Sequence, residues 1–267
     1  MIKAVVAGAA GRMGSRIINV LSSAEGVRLS AAIERKGSPL LGQDAGGPAG
    51  IPPTGMLITD NMEEALAAGD VLIDFTAPES SLEHIRVCAA HHRPIVIGTT
   101  GFSKEALDQI KKNTGTIPCV LSPNMSIGVN LSFKILKEVA RTLGDDYDVE
   151  IVEAHHRMKK DAPSGTAVKM AQVIAQALNR NLDEVGVYAR KGMIGERSRK
   201  EIGIQTIRAG DIVGEHTVFF AGKGERIEIT HRAHSRDTFA AGAVRAAKWI
   251  IGKKPGMYDM QDVLGLK

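Results

Sequence analysis

The residues best suited to chemistry lie in one stretch, Glu153 to Ala167, which reads E-A-H-H-R-M-K-K-D-A-P-S-G-T-A. Two adjacent imidazoles, His155 and His156, are followed by the cations Arg157, Lys159 and Lys160. Asp161, a rigid Ala162-Pro163 step and the small polar run Ser164-Gly165-Thr166 come next. Beyond it Ala167, Met170, Ala171, Ile174 and Leu178 recur at helical spacing, so Ser164 to Thr166 is the expected start of a helix. Unpaired backbone N–H groups and the helix dipole favour an anion such as a carboxylate there. A proton donor, ammonium groups and an anion seat within fifteen residues suit an acidic small molecule. The plainer alternative is a basic surface strand leading into an ordinary capped helix.

Such a segment needs a scaffold, and the first half of the chain reads as one. Ile2 to Ala7 is a β-prone run that meets Gly8-Ala9-Ala10-Gly11-Arg12-Met13-Gly14. Met13, Ile17, Val20 and Leu21 then mark an apolar helical stripe, and Val27 to Ile33 is a second strand ending at Glu34-Arg35-Lys36. Strand, glycine turn, helix, strand and acid make a dinucleotide-binding βαβ unit, although the spacing is G-x-x-G-x-x-G. The glycines let a pyrophosphate approach the helix start, and Glu34 can accept bonds from the adenosine ribose. Arg35, helped by Lys36, can take a 2′-phosphate, so use of both NADH and NADPH is expected. A glycine-rich turn in some other α/β protein is the competing reading.

The alternation continues. Helices are expected over Asn61–Ala68, Ser81–His91 and Phe102–Lys112, and strands over Val71–Phe75, Pro94–Ile97 and Pro118–Leu121, which extends a parallel sheet. Ligands sit off the carboxyl ends of such strands. Phe75-Thr76, Gly98-Thr99-Thr100 and Ser122-Pro123-Asn124-Met125 occupy those ends and would flank the nicotinamide and its ribose. Gly37 to Gly55, rich in glycine and proline, is expected to lack regular structure.

The second half differs. A helix over Asn130–Thr142, a strand over Asp148–Val152 and a helix over Ser164–Leu178 precede Arg190–Lys200, a stretch with five cations that reads as a solvated or active-site loop. Ile202–Ile207, Glu215–Ala221 and Arg226–Arg232 are strand-like and suggest a mostly antiparallel sheet. Arg232, His234 and Arg236 follow the last strand without an assignable role. A helix over Thr238–Ile251 and a tail from Met257 to Leu266 close the chain. The expected fold is α/β: a Rossmann-type doubly wound parallel sheet in the first half of the chain, with a second, α+β domain built on a mostly antiparallel sheet in the second half.

Composition narrows the function classes. A net charge of +4 could draw nucleic acid, but aromatic residues are only 4% and the cations are interspersed with acids, so a weak field for anionic metabolites is the better reading. Cys88 and Cys119 are the only cysteines and form neither a disulfide framework nor a zinc spacing, so a cytoplasmic protein without a metal is expected. Met1 to Gly8 reads as a strand entering a glycine turn, not as a signal peptide, and no apolar run has membrane-spanning length.

Over its whole length the sequence resembles the 4-hydroxy-tetrahydrodipicolinate reductase (dihydrodipicolinate reductase) family. The resemblance rests on G-A-A-G-R-M-G at Gly8–Gly14, Gly98-Thr99-Thr100-Gly101, the Pro123-Asn124 turn and above all H-H-x-x-K followed by D-A-P-S-G-T-A. Ala10 stands where many members carry glycine. The resemblance implies reduction of a small cyclic dicarboxylate with NADH or NADPH in the diaminopimelate route to lysine. It implies His155 as proton donor with Lys159 as its cationic partner, and His156, Lys159, Ser164, Gly165 and Thr166 as substrate contacts. It further implies a homotetramer built through the second domain's sheet and a final helix that returns to the nucleotide domain, so that residues 1–126 and 237–267 form the dinucleotide-binding domain and residues 127–236 the substrate-binding one. Neither nucleic acid nor a membrane is an expected partner, on the composition above. A different two-domain NAD(P) oxidoreductase, or an NAD(P) sensor without catalysis, would share the first domain but not the intact H-H-x-x-K and S-G-T residues.

Overall fold

The computed structural model describes residues 1–267, and the chain divides into two compact units. The first comprises Met1–Ile127 and Arg236–Lys267; the second is Gly128–Ser235.

In the first unit the elements run β1 (Ile2–Ala7), α1 (Gly14–Ser23), β2 (Val27–Ile33), α2 (Gly46–Ala49), β3 (Ile58–Thr59), α3 (Met62–Ala68), β4 (Val71–Asp74), α4 (Pro78–Ala90), β5 (Ile95–Ile97), α5 (Lys104–Asn113) and β6 (Pro118–Leu121). The second unit contains most of α6 (Ile127–Leu143), then β7 (Asp148–His155), α7 (Gly165–Ala177), α8 (Leu182–Val185), β8 (Gly186–Val187), β9 (Ile202–Arg208), β10 (Gly214–Ala221) and β11 (Arg226–Ala233). The chain then returns to the first unit with α9 (Asp237–Trp249), β12 (Gly256–Tyr258) and α10 (Met260–Leu264).

Seven strands form the first sheet in the order β12-β6-β5-β4-β1-β2-β3, and every pairing is parallel. Such strands are covered on both faces and read as unbroken apolar runs; Ala4–Ala7, Val71–Leu72–Ile73 and Ile95–Ile97 are buried throughout. Each fully buried Val or Ile contributes roughly 1.5–3 kcal/mol of transfer free energy. Strand order reverses at β1, so the glycine turn after Ala7 opens at the switch point where nucleotides bind in doubly wound sheets. Helix α9 lies so close to the β6–α6 turn that a side chain on Gly242 would collide with the Met125 carbonyl. The C-terminal tail is more regular than its sequence suggests: β12 pairs with β6, and Asp259 caps α10 in a reciprocal capping box.

Two expectations about loops change here. Gly37–Gly55 contains the one-turn helix α2, and Asp44 bridges to Leu57 just beyond it while its side chain accepts from the Gly46, Thr54 and Gly55 amides and the Thr54 hydroxyl. Arg190–Lys200 is exposed over most of its length, as a solvated loop is, but two of its five cations are paired. Arg190 pairs with Glu150 and Glu201, and Arg197 with Asp148 and Glu150, which fastens the segment to β7 and to the residue just before β9.

The second sheet has the order β11-β10-β7-β9-β8. It is mixed rather than mostly antiparallel. The β10 pairings to β11 and β7 are antiparallel, whereas β9 runs parallel to both β7 and β8. The reason is topological. Helices α7 and α8 carry the chain back between β7 and the following strands, and a crossover of that kind delivers a parallel neighbour. Helices α6 and α7 supply Leu136, Ala140, Ala167, Met170, Ala171 and Ile174 to the core beneath this sheet.

Candidate active site

Strand β7 shows how the second unit places its reactive groups. Side chains alternate between faces along a strand, and Val149, Ile151, Glu153 and His155 share the buried face of β7. The face begins apolar and ends in an acid and an imidazole. Register then brings partners from both sides: Glu153 lies opposite Thr206 on β9 and His216 on β10, and His155 opposite Arg208. His155 Nδ1 is 2.6 Å from Glu153 Oε2. Arg208 donates bidentately to the same carboxylate at 2.8 and 2.9 Å, and the Ser164 amide donates to Oε1 at 2.9 Å. Ser164 caps α7 by accepting from the Ala167 amide at 3.2 Å, and its Oγ is 2.9 Å from His216 Nε2. The His155 and His216 rings meet edge to face, with centroids 5.2 Å apart. Lys159 donates to both oxygens of Asp161 at 2.9 Å, and Arg208 donates to the Asp161 carbonyl at 2.6 Å. The proton donor expected at His155, the ammonium at Lys159 and the helix start at Ser164–Gly165–Thr166 thus belong to one connected network.

The charges are set by that network. Burial alone would push the Glu153 carboxyl up, but hydrogen bonds from His155, Arg208 and the Ser164 amide outweigh it and hold the carboxyl at about 2. Glu153 is therefore an anion, although its side chain is wholly buried. Burial, reinforced by repulsion from His155, lowers His216 to about 3, so that ring is neutral at working pH. His156 leaves the strand with its amide bonded to the Ile212 carbonyl, and its Nδ1 is buried without a partner. A buried polar atom in that state is a natural contact for a ligand oxygen.

The first unit arranges the other expected residues. Gly8 adopts φ +66°, and a side chain on Gly14 would collide with the Gly8 carbonyl, so the turn can close onto α1 only with glycines at both positions. Arg12 and Met13 sit at the start of α1, where backbone N–H groups lack acceptors a turn earlier. That is the cradle a pyrophosphate needs, and the residues present fit a dinucleotide. Ala9 is interior, with its amide bonded to the Ile33 carbonyl, and the Ala10 amide donates to Glu34 Oε2 at 3.2 Å. Glu34 therefore braces the glycine turn as well as standing at the end of β2. Arg35 and Lys36 beside it are exposed and unpaired. At the end of β4, the Thr76 amide donates to the buried Asp74 carboxylate and to Thr99 Oγ1. The Phe75 ring fills the space a side chain on Gly98 would need. Thr100 and Pro123 are exposed, Ser122 Oγ donates to the Asn124 carbonyl, and the Met125 side chain is core. At Ala9 and Met125, then, only the backbone can face a ligand.

Residues 2–125 match the family model described as dihydrodipicolinate reductase, N-terminus, and residues 128–264 match its C-terminus counterpart. The chain belongs to the dihydrodipicolinate reductase family. It is 60% identical over 267 residues to the 4-hydroxy-tetrahydrodipicolinate reductase of Syntrophus aciditrophicus (strain SB), with all of both chains covered. The namesake in Geotalea uraniireducens (strain Rf4) is 58% identical over the same span. Among solved structures, the dipicolinate-bound dihydrodipicolinate reductase from Paenisporosarcina sp. TG-14 superposes with a TM-score of 0.78 at 26% identity, covering 98% of each chain. An amine dehydrogenase from Mycobacterium smegmatis, at 15% identity and a TM-score of 0.58, shares the fold.

Within this dihydrodipicolinate reductase fold several partners escape a reading of the motifs. Arg208 and Thr206 lie more than fifty positions from Glu153, and His216 as far from Ser164. Glu153 stands at the head of the motif, and the i, i+2 spacing to His155 on a strand is the one local sign that the two share a face. Of the cations expected after the last strand, Arg232 lies within β11 and pairs with Glu215, while His234 and Arg236 beyond it are exposed.

Proposed function

We propose that this protein reduces 4-hydroxy-tetrahydrodipicolinate (dihydrodipicolinate) to tetrahydrodipicolinate in the diaminopimelate route to lysine, with the first unit binding the cofactor and the second the substrate. The observation that carries the reading is the junction of His155, Lys159 and the N-terminus of α7 in a single hydrogen-bonded network, in a chain that matches this family from end to end. NADH or NADPH, when bound, supplies a hydride. A substrate accepting it gains negative charge and must then take up a proton. His155 is the donor: imidazole exchanges protons near working pH, since its ordinary pKa is about 6.5. Lys159 stabilises the developing negative charge electrostatically. Ser164, Gly165 and Thr166 present the helix start to one carboxylate of the substrate, and the unpartnered His156 Nδ1 offers a further contact. Glu34 takes the adenosine ribose and Arg35 a 2′-phosphate, while Gly8 to Met13, Phe75, Thr76, Gly98 to Thr100 and Ser122 to Met125 line the cofactor. The protein works as a homotetramer in the cytoplasm. Both cysteines are buried, unpaired thiols, in keeping with a reducing compartment, and no helix is long and apolar enough to cross a membrane.

The test is cofactor oxidation followed by absorbance, with substrate generated in situ from pyruvate and aspartate semialdehyde by the synthase that forms it. His155→Ala should lower kcat by about 10²–10⁴-fold with little change in cofactor affinity. Lys159→Ala should lower turnover and weaken substrate binding together. Turnover like wild type in His155→Ala would remove that residue from the mechanism.

A further inference from the structure

Glu153 is a buried carboxylate that no part of the proposed reaction uses directly. Both its oxygens are surrounded by donors. Oε2 faces His155 Nδ1 and Arg208 Nη1, and Oε1 accepts from Arg208 Nη2, the Ser164 amide and, at 3.3 Å, the Thr206 hydroxyl. An ionised carboxylate only accepts, so at 2.6 Å His155 Nδ1 must be the donor and must carry a proton in the neutral ring. The other ring nitrogen, Nε2, is turned toward Gly214, where a side chain would come within 3.0 Å of it. Glycine keeps that nitrogen uncrowded.

We infer that Glu153 is the positioning residue of His155. It fixes the proton on Nδ1, leaves Nε2 as the nitrogen that exchanges protons with the substrate, and shares its charge with Arg208 so that the imidazolium is stabilised without being trapped. The inference rests on the reading of His155 as proton donor. It gives a task to Glu153, at the head of the motif, and to Arg208, which the motif does not reveal because it approaches from β9. Arg208 matters through balance. A carboxylate paired with His155 alone would hold the proton strongly, whereas one already engaged by a bidentate guanidinium holds it less. The same guanidinium reaches the Asp161 carbonyl, and the Asp161 side chain holds Lys159, so Arg208 ties the loop that carries the ammonium to the carboxylate that holds the imidazole. The ionisable groups of the network around His155 are Glu153 on its own strand, Arg208 opposite it on β9, the neutral His216 from β10, and, joined through Arg208, Asp161 and Lys159 from the loop after β7.

The prediction has opposite signs for the two partners, which general damage to the site would not reproduce. Loss of an opposite charge in contact with a titrating group moves its midpoint by about one pH unit or more. An acid must be protonated to act, so activity falls as pH rises. Glu153→Gln should move that falling limb of kcat/KM to lower pH by about one unit. Arg208→Gln should move it to higher pH by a similar amount, and Arg208→Lys, which keeps the charge, should leave it near the wild-type position. The affinity for NADPH should be unchanged in all three.

The deciding measurement is imidazole ¹⁵N NMR on the full-length wild-type protein, with the His155 signals assigned by their loss in His155→Asn. A neutral His155 ring protonated at Nδ1 and bare at Nε2 is expected. Glu153→Gln should mix or reverse the tautomers, and the wild-type spectrum stands even if that variant does not fold. An Nε2-protonated ring in the wild type, or limbs that move in the same direction in Glu153→Gln and Arg208→Gln, would overturn the inference. The expected tautomer together with full turnover in His155→Ala would instead overturn the proton-donor reading, and with it any place for Glu153 in catalysis.

Discussion

His216 should make this protein lose stability on mild acidification, and the size of the effect follows from where the ring lies. It is 4% exposed, packed edge to face on His155, and bonded through Nε2 to Ser164. Burial and the neighbouring imidazole depress its pKa to about 3 from an ordinary value of 6.5. Between those values the unfolded chain binds a proton that the folded chain refuses, so stability is full above 6.5 and falls as pH drops toward 3. One pH unit inside that window is worth up to about 1.4 kcal/mol, or about 2 kcal/mol in going from pH 8 to pH 5. Glu153 acts with the same sign, since its folded value of about 2 lies below its ordinary 4.5, but only in more acid solution. The interval from 6.5 to 4.5 therefore belongs mainly to histidines, and His231, lowered by burial on the adjacent strand, adds to it. Urea unfolding at several pH values, comparing wild type with His216→Gln, isolates the contribution of His216. The variant should be less stable at pH 8, and its stability should decline with a shallower slope toward pH 5. Proton NMR should show the His216 ring untitrated down to about pH 4 in the folded protein. Parallel slopes for wild type and variant, or a His216 ring that titrates near 6.5, would refute the argument.

Two further outcomes are expected in the nucleotide half. Arg35→Ala should weaken NADPH about tenfold, the loss of one charge-assisted contact to a 2′-phosphate, while leaving NADH nearly unchanged; fluorescence titration with each cofactor measures both, and equal effects on the two would remove Arg35 from cofactor choice. Gly14→Ala places a methyl group against the backbone of Gly8 and Ala9, which cannot swing aside as a side chain can. It should cost about 1–3 kcal/mol of stability and weaken both cofactors, and a variant with wild-type melting temperature and affinity would contradict the close approach.

Local pattern determined much of this protein. Apolar runs broken by glycine turns specify parallel strands buried on both faces, because only such strands can be apolar throughout. The turn from Gly8 to Gly14 specifies where the first helix begins. Helical spacing from Ala167 to Ile174 behind Ser164 places a capped helix start after the two histidines. These features depend on neighbours within a few residues, and sequence records such neighbours directly. Tertiary structure decided the rest. Whether β9 ran parallel or antiparallel to β7 depended on the crossover through α7 and α8, and that choice set Arg208 opposite His155. The cations of the segment from Arg190 to Lys200 look free in sequence, yet Arg190 and Arg197 are held by acids some forty to fifty positions earlier. His216 reads as one more polar residue in an alternating strand, and only the register of β10 against β7 buries it against His155 and Ser164. A side chain's charge and proton affinity depend on what surrounds it in space. The sequence placed two imidazoles ahead of a helix start, and the folded sheet determined which partners surround the His155 ring.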